Sequence, residues 1–240
     1  MFPLKDNIPT ERLPVVTLAL IALNVVVYFF VQQGGWEISS LTSGAWSLGG
    51  EAAYPCDLTG QCPAGEPPAG HIGPWASVFT AMFMHGGLLH LGGNMLFLWI
   101  FGNNVEDAMG RATFLLFYLG GGLAAMGLQT LIDPSAAVPT VGASGAIAAV
   151  LGAYLLLYPR ARVVTLILIV FFFTLIEVPA ALVLAGWFVI QVVFGALDYT
   201  SAGDGGGIAY FAHVGGFLFG LAVVRLLAKP RETAPVPYRV

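Results

Sequence analysis

Few side chains in this sequence could do chemistry, and the first is Ser144, within Val141-Gly142-Ala143-Ser144-Gly145-Ala146. The segment places one hydroxyl among small residues at the head of an apolar run from Ala146 to Tyr158. It is not the G-x-S-x-G elbow of the α/β-hydrolases, because position 146 is alanine and no strand is expected before it. Serines and small residues also line membrane-helix interfaces, where backbones approach closely, so Ser144 alone fits packing as well as chemistry. Two further sites change that balance. His90 and Asn94 stand four apart, on one helical face of the stretch that follows Thr80. His213 is the only ionisable side chain in its apolar run before Arg225. Together these residues are the parts of an acyl-transfer site. A serine hydroxyl is a weak nucleophile until an adjacent base takes its proton. The oxyanion that then develops needs hydrogen-bond donors aimed at it.

What must position them is a set of membrane helices. The 240 residues are 58% hydrophobic and only 9% charged, with mean hydropathy +0.84, whereas soluble domains carry roughly a quarter charged residues. The expected class is therefore an all-α polytopic membrane protein, a single compact unit. The nine basic residues fall in clusters, with none in 13–110, 112–159 or 163–224. Basic residues mark cytoplasmic ends. Alternating the apolar runs between these clusters gives six spans with both termini cytoplasmic, at 13–32, 87–102, 112–131, 144–158, 179–197 and 208–227. Residues 1–12 form a short cytoplasmic lead, 13–228 the membrane domain with an outer loop at 33–84, and 229–240 a cytoplasmic tail. The first span has no small-residue cleavage site after it, so it is expected to be retained as an anchor.

The run from Val163 to Leu197 is too long for one span of about 20 residues. It is read as one span interrupted at Glu177-Val178-Pro179, because proline removes a backbone donor. Its leading part, 163–176, is left open between a tilted helical extension and an interfacial segment. Phe101 to Arg111 is read as a cytoplasmic turn, with Glu106 and Asp107 solvated or paired with Arg111. Cys56 and Cys62 lie in the outer loop. A disulfide with a structural role is one reading and two free thiols the other. A zinc site lacks ligands, since only His71 is nearby.

Depth ties the polar residues together. Ser144 lies 16 positions from Arg160, His213 lies 16 from Lys229, and His90 lies 16 from Glu106. At about 1.5 Å per residue all three sit roughly 24 Å from the inner charges, below the outer surface of the membrane. A small-residue stripe, Ala212, Gly216 and Gly220, matches another, Gly145, Ala149 and Ala153, and these suit close contact between the fourth and sixth spans. His213 becomes the candidate general base and Ser144 the nucleophile. Asn94, His90 and the Ser144 backbone N–H become the oxyanion contacts. No carboxylate is placed to orient the imidazole, which favours a dyad over a triad.

These residues resemble the rhomboid family of intramembrane serine proteases. The resemblance is carried by His85-Gly86, His90 and Asn94 in the second span, Gly142-Ala143-Ser144-Gly145 in the fourth and Ala212-His213-Val214-Gly215-Gly216 in the sixth. It implies a six-helix rhomboid-like bundle and hydrolysis of a peptide bond within or next to a substrate's transmembrane segment. Ser144 and His213 are the implied dyad, His90 and Asn94 the implied oxyanion contacts, and His85, Gly142 and Gly145 are supporting residues. The expected partners are transmembrane protein substrates and the lipid bilayer. No metal, cofactor or nucleic acid is expected. The expected location is the plasma membrane, with the active site opening to the extracytoplasmic side. The family's gate would map near 179–197 and 198–207. Two positions depart from the family pattern. Trp75-Ala76 stands where many bacterial members have Trp-Arg. Ala148 stands where many have an aromatic ring against the catalytic histidine, so another ring must support His213. The alternatives are a catalytically silent client-binding relative, although both dyad residues are kept here, and a transporter using a histidine proton relay, for which internal repeats would be expected.

Overall fold

The computed structural model describes residues 2–34, 50–65, 71–169, 172–200 and 208–228. Helices dominate. α1, Val15–Val26, starts after Pro14 and ends in a π-helical turn, Val27–Val31. α2, Pro55–Thr59, and α3, Pro74–Ala81, are short helices in the outer loop. α4, Leu88–Phe97, runs through a π-helical turn, Leu98–Gly102, into α5, Asn103–Met109. α6 is Arg111–Ile132, α7 Ser144–Leu157, α8 Ala180–Thr200 and α9 Tyr210–Leu227. Helices overlap each of the six stretches expected to be spans. α6, α8 and α9 are long and apolar enough to cross a membrane, while α1 with its π turn and α7 are shorter.

α7 is the axis of the bundle. Every residue from Gly145 to Tyr154 is buried, as expected of a helix apolar all round. The small-residue stripes meet there. A Cβ on Gly216 would land on the Gly145 carbonyl oxygen, one on Gly220 on the Ala149 carbonyl oxygen, and one on Gly152 on the Phe217 carbonyl oxygen. Phe101, Phe114, Phe117, Tyr118 and Tyr154 fill the core around them.

Three parts differ from expectation. The segment 163–176, left open between a helical extension and an interfacial segment, is not a helical extension. β2, Arg162–Ile169, and β3, Phe172–Pro179, pair antiparallel. β1, Phe2–Asp6, joins them in the order β1-β2-β3, so the lead is a strand. The β-branched and aromatic run from Val163 to Val178 suits a pleated surface better than a helix. Along β2, Val163 and Thr165 are buried while Arg162 is exposed, the alternation of a strand with one covered face. The register shifts between Pro3 and Lys5, near the proline, which has no N–H to give the ladder.

The expected turn at 101–111 is also different. Helix continues through Met109, and the chain reverses at Gly110, whose φ of 83° only glycine adopts freely. Glu106 and Asp107 are both buried, and no salt bridge to Arg111 is seen among the described residues. Glu106 is 2% exposed. Its carboxylate accepts the N–H groups of Val16 at 3.0 Å and Thr17 at 2.7 Å, and the Thr17 hydroxyl at 2.8 Å. Asp107 accepts the Glu11 N–H at 2.9 Å. Position decides this role, because the first turn of α1 has N–H groups without intrahelical partners and the positive end of the helix dipole.

A disulfide joins Cys56 to Cys62. His71 Nε2 lies 2.8 Å from Asp57 Oδ2 rather than serving the sulfurs. Parts of the expected outer loop (35–49 and 66–70), the loop 201–207 and the tail 229–240 lie outside the described residues.

Candidate active site

Ser144 is the first residue of α7 and His213 lies in the first turn of α9. The glycine contacts that press α7 against α9 therefore bring these two side chains together. Ser144 Oγ lies 2.7 Å from His213 Nε2. Both residues are half-buried. With 14 residues, α7 is about 21 Å long, shorter than a hydrocarbon core of about 30 Å. The start of α9 is fixed from α6, where the Gln129 side-chain carbonyl accepts the Ala212 N–H at 3.1 Å.

The second wall of the site comes from α4 and the loop before α7. Gly142 has φ 124°, and its N–H donates to the Ala81 carbonyl at 2.8 Å. A Cβ at Gly142 would come within 2.8 Å of the His90 ring and 3.6 Å of Ser144 Oγ. Both the backbone angle and the space therefore require glycine there. His90 Nδ1 accepts the Gly86 N–H at 3.3 Å, and His85 meets its ring edge-on at a centroid distance of 5.1 Å. The backbone of His85 is held by Gln32, which donates to its carbonyl at 3.0 Å and accepts its N–H at 2.9 Å.

Asn94 is buried one turn beyond His90, and its Nδ2 has no hydrogen-bond partner among the described residues. A buried amide donor left unpaired is costly. Gly145 has another task, since a Cβ there would press on Ala125 of α6 at 2.6 Å. The structure thus gathers Ser144, His213, His90 and Gly142 in one place, sets His85 against His90, buries Asn94 one turn further along α4, and keeps Cys56 and Cys62 in a separate cluster with Ala52 and Tyr54.

Two residues of the site escaped the sequence reading. The Trp187 ring packs on the His213 imidazole at 5.6 Å, and Gln191 Oε1 lies 2.7 Å from His213 Nδ1. Both project from α8. The available signal was a glutamine alone in an apolar stretch, Ala180 to Leu197, since a polar side chain inside a membrane helix marks a site or an interhelical bond.

The family model for the Rhomboid domain matches residues 73–230, which include Ser144, His213, His90, Asn94, Trp187 and Gln191 but not Gln32 or the cysteines. The chain belongs to the rhomboid family. It is 32% identical over 142 residues to Rhomboid protease GluP of Bacillus subtilis, covering 59% of this chain and 24% of that protein. It is 32% identical over 160 residues to the mitochondrial Rhomboid protein 1 of Saccharomyces cerevisiae, covering 65% and 43%. It is 33% identical over 163 residues to the chloroplastic Rhomboid-like protein 11 of Arabidopsis thaliana, covering 65% and 53%. The matches thus span from a quarter to about half the length of these relatives. Within the rhomboid pattern, Ala148 has no ring to offer, and its Cβ instead packs against Gly216. Trp187 supplies the missing aromatic surface from a different helix. Trp75, in α3, is 69% exposed.

Proposed function

We propose that this rhomboid protein is a serine endopeptidase that cleaves a peptide bond within or next to a transmembrane segment of membrane-protein substrates. The observation that carries this reading is the 2.7 Å contact between Ser144 Oγ and His213 Nε2. In the proposed reaction Oγ attacks the scissile carbonyl carbon while Nε2 takes the hydroxyl proton. The carbonyl π electrons move onto oxygen. That oxyanion is met by the Asn94 amide, the His90 ring and the Ser144 N–H, which belongs to the first turn of α7, at the positive end of the helix dipole. His213 then gives its proton to the leaving amine, and the acyl-enzyme is released by water through the same base.

The orientation proposed is the one the basic residues favour, with Arg12, Arg111, Arg160 and Arg225 cytoplasmic and the Cys56–Cys62 loop outside. The plasma membrane is the location proposed, because a disulfide on its outer face lies in an oxidising space.

The test uses purified full-length protein in liposomes with a single-span substrate. Cleavage by wild type, lost in Ser144→Ala and His213→Ala, is expected, together with fluorophosphonate labelling of wild type that Ser144→Ala abolishes. No cleavage of several substrates, with no labelling, would replace this reading with a client-binding role. Cleavage surviving in both variants would remove the dyad assignment.

A further inference from the structure

His213 touches two side chains that belong to neither dyad helix, and both come from α8. The Gln191 contact has a direction built into it. Gln191 is buried, at 6% exposed, and its Nε2 donates to the Trp187 carbonyl at 3.2 Å. With the amide nitrogen facing an acceptor, the amide oxygen faces His213 Nδ1 at 2.7 Å. A side-chain carbonyl can only accept, so Nδ1 must carry the proton. Nε2 is then left with its lone pair toward the Ser144 hydroxyl, as a general base requires. Rotating the amide by half a turn would set its oxygen against the Trp187 carbonyl and its N–H on Nδ1, and would put the wrong tautomer in front of Ser144.

We infer that Gln191 is a positioning residue for the proposed protease reaction: it holds the His213 imidazole in the Nδ1–H tautomer and aims Nε2 at Ser144, the task a carboxylate performs in a Ser-His-Asp triad. The inference rests on the protease reading for its catalytic consequence, though not for the tautomer itself. It also makes the base depend on where α8 sits. α8 is docked against α9 by Phe188 stacked on Phe217 at 4.5 Å and by Gly195 beneath the Tyr210 Cβ. Its Leu182, Val189, Val193 and Leu197 face outward. When α8 is docked the imidazole has both its acceptor and its ring, and when α8 is displaced it loses both.

The test uses the full chain labelled with 15N-histidine in micelles, with His213 assigned by its loss in His213→Asn. Wild type is expected to show the Nδ1–H tautomer at His213, and Gln191→Leu is expected to lose that preference. In parallel, Gln191→Leu should lower kcat on a single-span substrate about 10- to 100-fold with KM unchanged, a part of what a general base contributes. Gln191→Glu, which keeps an acceptor at the same reach, should restore most of the loss. An Nε2–H tautomer in wild type would overturn the assignment, whether or not the protein cleaves anything. So would Gln191→Leu and Gln191→Glu with equal defects and an unmoved tautomer, because that pattern belongs to packing. Absence of cleavage by wild type alongside an Nδ1–H tautomer would sink the protease reading and leave the role of Gln191 in fixing the imidazole intact.

Discussion

Gly216 of α9 stands against the carbonyl oxygen of Gly145 on α7, with no room for one carbon atom between them. One turn on, Gly220 repeats the contact with the Ala149 carbonyl. These backbone approaches set the distance between the helix that carries Ser144 and the helix that carries His213. Gly216→Ala should therefore push α9 away from α7, with overpacking costing about 1–3 kcal/mol of stability. Cleavage should fall more than stability does, because the dyad contact lengthens. Thermal melting in detergent, read beside kcat on a single-span substrate, checks this. A variant that melts earlier yet cleaves at the wild-type rate would show that the stripe sets stability alone.

Asn94 offers the unpaired amide, so its effect should be confined to the oxyanion. Asn94→Ala is expected to slow cleavage about 10²–10³-fold, the usual cost of one such donor. Ser144→Ala should abolish turnover. Fluorophosphonate labelling of Ser144 should persist in Asn94→Ala at a reduced rate. Complete loss of both readouts in well-folded protein would make Asn94 a residue that holds the site together.

The buried carboxylate of Glu106 caps α1 across 89 positions of sequence. Glu106→Ala would leave the N–H groups of Val16 and Thr17 without an acceptor in a buried place. It should cost about 1–3 kcal/mol, seen as earlier thermal unfolding. Glu106→Gln keeps one acceptor and should recover part of the loss. Equal melting of wild type and Glu106→Ala would mean that water replaces the cap.

Asp6 introduces a pH dependence away from the active site. Its carboxylate accepts hydrogen bonds from Asn104 at 2.5 Å and Tyr154 at 2.6 Å. Burial pushes its pKa from 3.8 up to about 6, and the Tyr154 hydrogen bond only partly offsets this. The folded protein holds that proton more tightly than the unfolded chain. The stabilisation is therefore full below 3.8 and is lost as pH rises through about 6. Asp6→Asn cannot titrate, so it should flatten the melting temperature between those values. An unchanged pH profile in Asp6→Asn would assign the dependence to another group.

The sequence by itself marked the membrane class, the places of the helices and the candidate pair Ser144 and His213. The reason is local. Charge is excluded from a hydrocarbon environment, so the gaps between basic clusters outline the helices, and the few polar residues kept inside them stand out. Ser144 and His213 could be matched in depth because helical rise converts residue counts into distance. Glycine stripes likewise report close packing before the partner helix is seen.

What only the tertiary structure decided was every role set by a neighbour distant in sequence. Val163 to Val178 is apolar enough for a helix, and pairing with Phe2–Asp6, far away in the chain, comes with its form as a sheet. Glu106 reads as a solvated acid until α1 presents its unpaired N–H groups. Gln191 stands out as a lone polar residue in its apolar stretch, but its partner and that of Trp187 do not show in their own neighbours. They gain meaning because α8 lies against the first turn of α9, where one accepts from the imidazole and the other covers it. A hydrogen bond has a direction and a partner, and neither is written in the spacing of a single helix.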